Sequence, residues 1–346
     1  MIWKAIVTGV FIFTALCANS QDQPPLLLQR TIALPAVSGR FDHFAIDLAT
    51  DRLFAAATGN HTVEVIDLKT GSVQQSIAGL GKPHGLAWVS QTQSLYVADG
   101  SLGELRVYQG TPLKLAGQLK LSDDADDMVY NPAAHLLYVG HGGANAENPA
   151  CIAVVDTRRF AIRASIPVAT HPEAVDMDSG SGRIFANIAE AGAIFVLDGG
   201  SAPITAKWKL DKATDNVPIA FDAEHQLLLI ACRKPAVLIA LDATTGKELF
   251  RLPTGGGADD MFYDPALHRV YVVCGAGEVD TYQVDSRNAA YPMEILHTVE
   301  GAKTGLFVPS QSLLYIGIPG VASQSGASGL SAEIRIYSTQ LNRGRR

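Results

Sequence analysis

Histidines and carboxylates in this chain recur in short turns that each lead into an apolar run. The turns supply Asp42 and His43 (GRFDHFA), His84 (KPHGLA), and Asp123, Asp124, Asp126 and Asp127 (SDDADDM). They continue with His171 and Glu173 (THPEAV), Asp215 and Asn216 (TDNVPI), Asp259 and Asp260 (GADDMF), and Lys303 and Thr304 (AKTGLF). A second set of turns carries His61, Asp99, His141, Glu190 and the pair Arg233-Lys234.

Four kinds of chemistry follow from these residue types. An imidazole titrates near neutrality, so His43 or His171 has the makings of a general base. Glu173, Asn216 and Asp260 are oxygen donors suited to Ca²⁺ or Mg²⁺. His43, His84 and His141 together would suit a transition metal, although their spacing resembles no compact metal motif. Arg233, Lys234 and Lys303 would hold an anion through charge-assisted hydrogen bonds. Each group also has a plainer role. Aspartates in turns cap local N–H groups, a histidine at a strand start packs, and an Arg-Lys pair is an ordinary solvated turn.

What must position these turns is a repeat. Gly39 to Ile77 reads as four short strands (HFAID, RLFAAA, TVEVID, SVQQSI) separated by turn residues. Aligned on the turn after the first strand, Asp47, Val89, Asn131, Asp178, Asp222, Asp264 and Val308 are equivalent, with spacings of 42, 42, 47, 44, 42 and 44 residues. The second strands agree: RLFAAA, SLYVAD, LLYVGH, RIFANI, LLLIAC, RVYVVC and LLYIGI. A four-strand unit at this period is a propeller blade, because one small sheet cannot bury both of its apolar faces without copies on either side. The expectation is an all-β, seven-bladed β-propeller of four-stranded antiparallel blades, forming one domain over residues 21–346. The last unit lacks a fourth strand before the basic tail LNRGRR. The N-terminal stretch LLLQRTIAL (Leu26 to Leu34) is therefore expected to complete it and close the ring. Gly320 to Ala332 reads as a loop within blade seven.

In such a ring the first strand of every blade lines the central channel, and the chemistry-bearing turns meet at one channel mouth, the upper face. Five of the nine histidines fall there: His43, His61, His84, His141 and His171. His135, His225 and His268 fall in the opposite-face turns NPAAH, DAEHQ and DPALH, where a polar residue needs no further explanation, and His297 lies in an outer strand.

Residues 1–20 read as a secretory signal, with Lys4 as the positive region, Ala5 to Ala18 as the apolar core, and Gln21 as the mature start. The apolar run is short for a membrane span, and Cys17 follows a bulky Leu that makes a poor lipidation motif. The expected location is periplasmic or secreted. Three cysteines then remain, Cys151, Cys232 and Cys274; an odd count is no disulfide framework, and buried small hydrophobes are the expected role. Net charge is −7, and −8 once Lys4 leaves (26 Lys+Arg against 34 Asp+Glu). That balance argues against nucleic acid, as does the lack of aromatics interleaved with basic residues.

The strings RLFAAATGNHTVEVIDLKTG, SLYVADG, LLYVGHGG and GKPHGLAWV resemble the YVTN-repeat, YncE-like family of bacterial seven-bladed propellers, over essentially the whole mature chain. GRFDH, DDAD, HPE, CRKPA, ADDMFYD and KTGLFVP further resemble a subgroup of that family. The resemblance implies that these turns form the upper face, and it carries no activity with it. DNA binding has been proposed within the family, which keeps nucleic acid as a minor reading.

Three functions remain open on the sequence. The first is a non-catalytic binding or scaffold propeller, probing a small anionic or polar ligand or a protein partner with His43, His84, Asp127, His171, Glu173, Asn216, Arg233, Lys234, Asp260 and Lys303. The second is a Ca²⁺- or Mg²⁺-dependent hydrolase or lyase, such as a lactonase, using the same mouth. Nucleic-acid binding is the third. The chain carries no Walker loop, nucleophile elbow, Cys-x-x-Cys or haem-attachment motif. A monomer is expected.

Overall fold

The computed structural model describes residues 24–199, 203–321 and 330–340, without the side chain of residue 144. The secretory leader assigned to residues 1–20, the basic tail and most of the Gly/Ser-rich loop lie outside these residues.

Seven four-stranded antiparallel sheets form the seven blades. Their innermost strands are Phe44–Asp47, Pro83–Val89, Met128–Asn131, Pro172–Met177, Thr214–Asp222, Ala258–Asp264 and Gly305–Val308. The repeat position identified in the sequence ends each of these strands or follows it directly, and its chemistry explains the recurrence. Asp47, Asn131, Asp178, Asp222 and Asp264 each accept a backbone N–H from two residues further on with Oδ1, which closes the turn to the second strand. Where valine stands instead, other devices make the turn. Val308 leads into a short 3-10 helix, Pro309–Gln311, and the Val89 carbonyl accepts the Thr92 N–H.

Second strands are sandwiched between neighbouring blades, so they read as continuous apolar runs rather than alternating ones. Arg52–Ala57, Ser94–Asp99 and Ile184–Ile188 are buried at every position. Outer strands such as Ile204–Lys209 alternate between half-buried and exposed. The core is accordingly a set of seven slabs, one between each pair of blades. Burying one Leu, Ile, Val or Phe in such a slab contributes about 1.5–3 kcal/mol, so the slabs fix the angle between blades and thereby the position of every inner turn.

The ring closes as the sequence expects. Leu27–Leu34 pairs antiparallel with Ala332–Ser338, placing Thr31 opposite Arg335 and Leu34 opposite Ala332. This N-terminal strand is the outermost of blade seven, so the two ends of the domain lie in one sheet. Cys151, Cys232 and Cys274 are free thiols, and burial pushes the Cys232 and Cys274 thiols up to about 12. No helix among the described residues is long and apolar enough to cross a membrane.

Candidate functional site

Carboxylates tie the inner strands to one another. Asp127 Oδ2 accepts the Val175 N–H of the next blade at 2.9 Å, and Asp260 Oδ2 accepts the Gly305 N–H at 2.7 Å. Asp176 Oδ2 makes the same link to the Phe221 N–H at 2.8 Å. Each clamp uses one oxygen. In Asp127 and Asp260 the other oxygen meets His43: Nδ1 is 3.3 Å from Asp260 Oδ1, and Nε2 is 4.0 Å from Asp127 Oδ1 and 3.7 Å from Asp42 Oδ1. His43 belongs to blade one, Asp127 to blade three and Asp260 to blade six. A ring that reaches partners two blades away on either side lies across the channel axis, so His43 floors the upper mouth and makes it a cup. Burial disfavours the charged imidazole, but Asp260, Asp127 and Asp42 outweigh it and raise the His43 pKa well above its ordinary value. Burial pushes Asp127 up to about 6 against the lowering effect of His43.

Asp42 joins blades one and two. It accepts Arg40 Nη1 at 3.0 Å and lies 2.6 Å from His84 Nδ1. Against the cost of burial, these contacts and His43 hold its carboxyl well below the usual range. The far side of the His84 ring packs on Gly100, where an added Cβ would stand 2.8 Å from Cδ2. His84 therefore serves the cup by holding Asp42, and its Nε2 has no hydrogen-bond partner.

The wall of the cup is built on Asp126, whose Oδ1 is 3.5 Å from His84 Nδ1 and whose Oδ2 is 3.5 Å from His171 Nε2. His171 is oriented by its Nδ1, which hydrogen-bonds the Gly142 carbonyl at 2.8 Å. That carbonyl requires glycine: φ is +84° at Gly142, and an added Cβ would lie 2.0 Å from the Pro149 carbonyl oxygen. Burial works against the His171 charge, yet Asp126, the Gly142 carbonyl and Glu173 raise its pKa to about 9. Burial raises Glu173 despite the nearby His171. One ligand-type atom from each of Asp126, His171 and Glu173 lies within 4.8 Å of the others, and the same is true of Asp42, His43 and Asp126. The His171 Nε2 is buried, with Asp126 Oδ2 as its ion-pair partner.

The cations sit on the side of the cup formed by blades five to seven. Arg233 and Lys303 both pair with Asp259, Lys303 Nζ at 2.5 Å, and Arg233 Nε donates to the Ala258 carbonyl at 2.9 Å. Burial raises Asp259 even so. Lys234 stands apart, 75% exposed, paired with Asp215 at 2.8 Å. The sequence grouped it with Arg233 and Lys303; alternation along the strand sends the two neighbours to opposite faces.

Two expected metal sets are not assembled. Glu173 sits with Asp126 and His171, and Asp260 with His43, whereas Asn216 is fully buried between blades four and five, donating to Asn187 Oδ1 and the Ala193 carbonyl. Nor do His43, His84 and His141 converge. His84 is committed to Asp42, and His141 Nδ1 accepts the Ser122 N–H at 3.2 Å. Burial, reinforced by the charge of His171, pushes His141 down to about 4. Asp99 accepts the Gly81 and Lys82 N–H groups, Asp124 pairs with Lys82, and His61 and Glu190 are exposed at the rim. Sequence reasoning missed Arg40, two residues before Asp42 in GRFDH, and Asp176, the second acid of the inner strand Pro172–Met177 after Glu173.

No known family model matches the chain, and comparison with curated proteins finds no sequence match. Solved structures do share the fold. A hydrazine synthase chain of Kuenenia stuttgartiensis superposes with a TM-score of 0.73 at 16% identity, covering 81% of this chain and 92% of that one. A chain from the crystal structure of the mitotic checkpoint complex superposes with a TM-score of 0.73 at 12% identity, covering 97% and 98%. Likeness at these identities extends to the seven-bladed propeller and stops there.

Proposed function

We propose that the protein is an exported, YncE-like binding propeller whose upper cup seats a divalent cation, Ca²⁺ or Mg²⁺, on Asp126, His171 and Glu173. Through that ion it holds a small polar or anionic ligand, with Arg233 and Lys303 as the cationic wall. Export rests on the leader-like residues 1–20. The observation that carries the reading is the Asp126, His171 and Glu173 cluster, whose ligand-type atoms lie within 4.8 Å of one another and include two carboxylates. Burial and the neighbouring Asp126 charge both raise Glu173, and a cation seated between the two carboxylates relieves that repulsion. The acidic cup gives nucleic acid little to bind.

Thermal-shift titration of the protein with Ca²⁺, Mg²⁺ and Mn²⁺, then with sugar acids, lactones and phosphates in the presence of the best ion, tests this. A ligand at 100-fold its dissociation constant stabilises by about 2.7 kcal/mol. No shift with any ion, or an unchanged shift in Asp126→Asn, contradicts the proposal.

A second reading is a metal-dependent hydrolase or lyase of the lactonase kind. It draws on Asp126 belonging also to the Asp42 and His43 group, since a carboxylate shared by two cation seats suits two-metal hydrolysis. Turnover of a lactone panel that is lost in Asp126→Asn would favour it over binding alone.

A further inference from the structure

The lower face holds a second cluster of donors, built from the turns DAEHQ and DPALH. In blade five, Asp222 Oδ1 accepts the Glu224 and His225 N–H groups at 3.0 and 3.1 Å, and its Oδ2 lies 2.7 Å from His225 Nδ1. Asp222 is 0% exposed, so it fixes the His225 ring from beneath and leaves Nε2 uncommitted. In blade six, His268 has its Nδ1 3.0 Å from the Tyr263 hydroxyl and 3.9 Å from Glu224 Oε2. The two imidazoles meet edge to face with centroids 5.4 Å apart. One ligand-type atom from each of Glu224, His225 and His268 lies within 4.8 Å of the others.

Blade three supplies an internal comparison. There Tyr130 and His135 repeat the Tyr263 and His268 arrangement, with the hydroxyl 3.4 Å from Nδ1. His135 Nε2, however, lies 2.5 Å from the Arg158 guanidinium, so a cation already occupies that position. Among the described residues neither His225 nor His268 has a hydrogen bond on Nε2. Arg287, which donates to the His225 carbonyl, is paired with Asp242.

We propose that Glu224, His225 and His268 form a binding site for a transition-metal dication, with Zn²⁺ the reference ion. The ion would tie the lower turns of blades five and six together, with its remaining coordination position open. Two imidazoles and one carboxylate are a donor set that borderline ions prefer. The contact from Asp222 to His225 is the carboxylate support that ligating histidines ordinarily have. Partial exposure of the three side chains, 20% for His225, 35% for His268 and 67% for Glu224, gives an ion access from solvent. The upper cup is richer in carboxylates and favours harder ions, so the two sites differ in kind.

Titration of the chelator-stripped full chain with Co²⁺, read by visible absorption, followed by displacement with Zn²⁺, tests the assignment. Asp126→Asn, which removes the upper seat, is expected to retain the ligand-field bands that arise on the lower face. His225→Ala and His268→Ala are each expected to weaken binding at least about tenfold, while His135→Ala leaves it unchanged. Glu224→Gln, at an exposed position, gives a change of spectrum and affinity should the histidine variants fold poorly. The proposal is overturned if the wild type shows no bands, or if a folded His225→Ala/His268→Ala double variant keeps the wild-type spectrum and affinity. Failure of the upper cup to bind ions leaves this result independent.

Discussion

Two regions of the molecule use the same residue types in opposite ways. In the upper cup, His43, Asp127 and Asp260 come from blades one, three and six and meet only because the ring closes. On the lower face, His225 and His268 come from adjacent blades and meet because two neighbouring turns touch. The upper groups are buried, so their charges balance one another and shift far from their ordinary values. The lower groups stand at the solvent edge, held by hydrogen bonds to Asp222 and Tyr263. A propeller thus brings chemistry together either by radial convergence or by contact between adjacent turns. Convergence makes the site part of the stability of the ring, whereas turn contact leaves it separable.

The sharpest way to break this contrast is to remove the hub of the cup. His43→Ala leaves Asp42, Asp127 and Asp260 without their shared cation, and removing one partner of a buried charged group costs about 3–5 kcal/mol. Urea unfolding should show that loss, whereas His225→Ala should change stability by far less in metal-free buffer. Next in size is His171→Ala, expected to reduce cation binding in the upper cup at least about tenfold and to leave Co²⁺ binding on the lower face unchanged, both readable by calorimetric titration.

Asp176 sharpens the comparison within the channel itself. It makes the same inter-blade clamp as Asp127 and Asp260 but has no imidazole beside it, and burial pushes it up to about 7 from 3.8. Its folded form holds the proton more tightly than the unfolded chain does. Its contribution therefore favours folding fully below about pH 4 and is lost as pH rises through about 7. Asp176→Asn should flatten the fall in melting temperature over that interval. The smallest effect belongs to Lys234→Ala. Its exposed pair with Asp215 is worth about 0–1 kcal/mol, and both ion binding and stability should stay close to wild type, unlike the response to Arg233→Ala.

The fold was legible because the repeat is written in physical necessities. Asp or Asn recurs where a turn needs an acceptor, and unbroken apolar runs recur where a strand is covered on both faces. Closure by the N-terminal strand followed from the missing fourth strand in the last unit. The upper face was legible as a set of turns but not as a set of contacts. Asn216 looks like an oxygen donor in sequence, yet it bonds the side chain of Asn187 between blades. His84 and His171 look alike, but Gly100 packs the ring of one away while Gly142 aims the other. The lower cluster was passed over because each of its histidines, taken alone, is an ordinary turn residue. Only the adjacency of blades five and six brings them together.

The central claim is that the upper cup seats a divalent ion on Asp126, His171 and Glu173. Anomalous diffraction from crystals equilibrated with Mn²⁺ tests it most directly. The account predicts a peak within coordination distance of all three side chains in the wild type and none there in Asp126→Asn. Mn²⁺-equilibrated wild-type crystals without a peak at those residues, or the same peak in the variant, would contradict it.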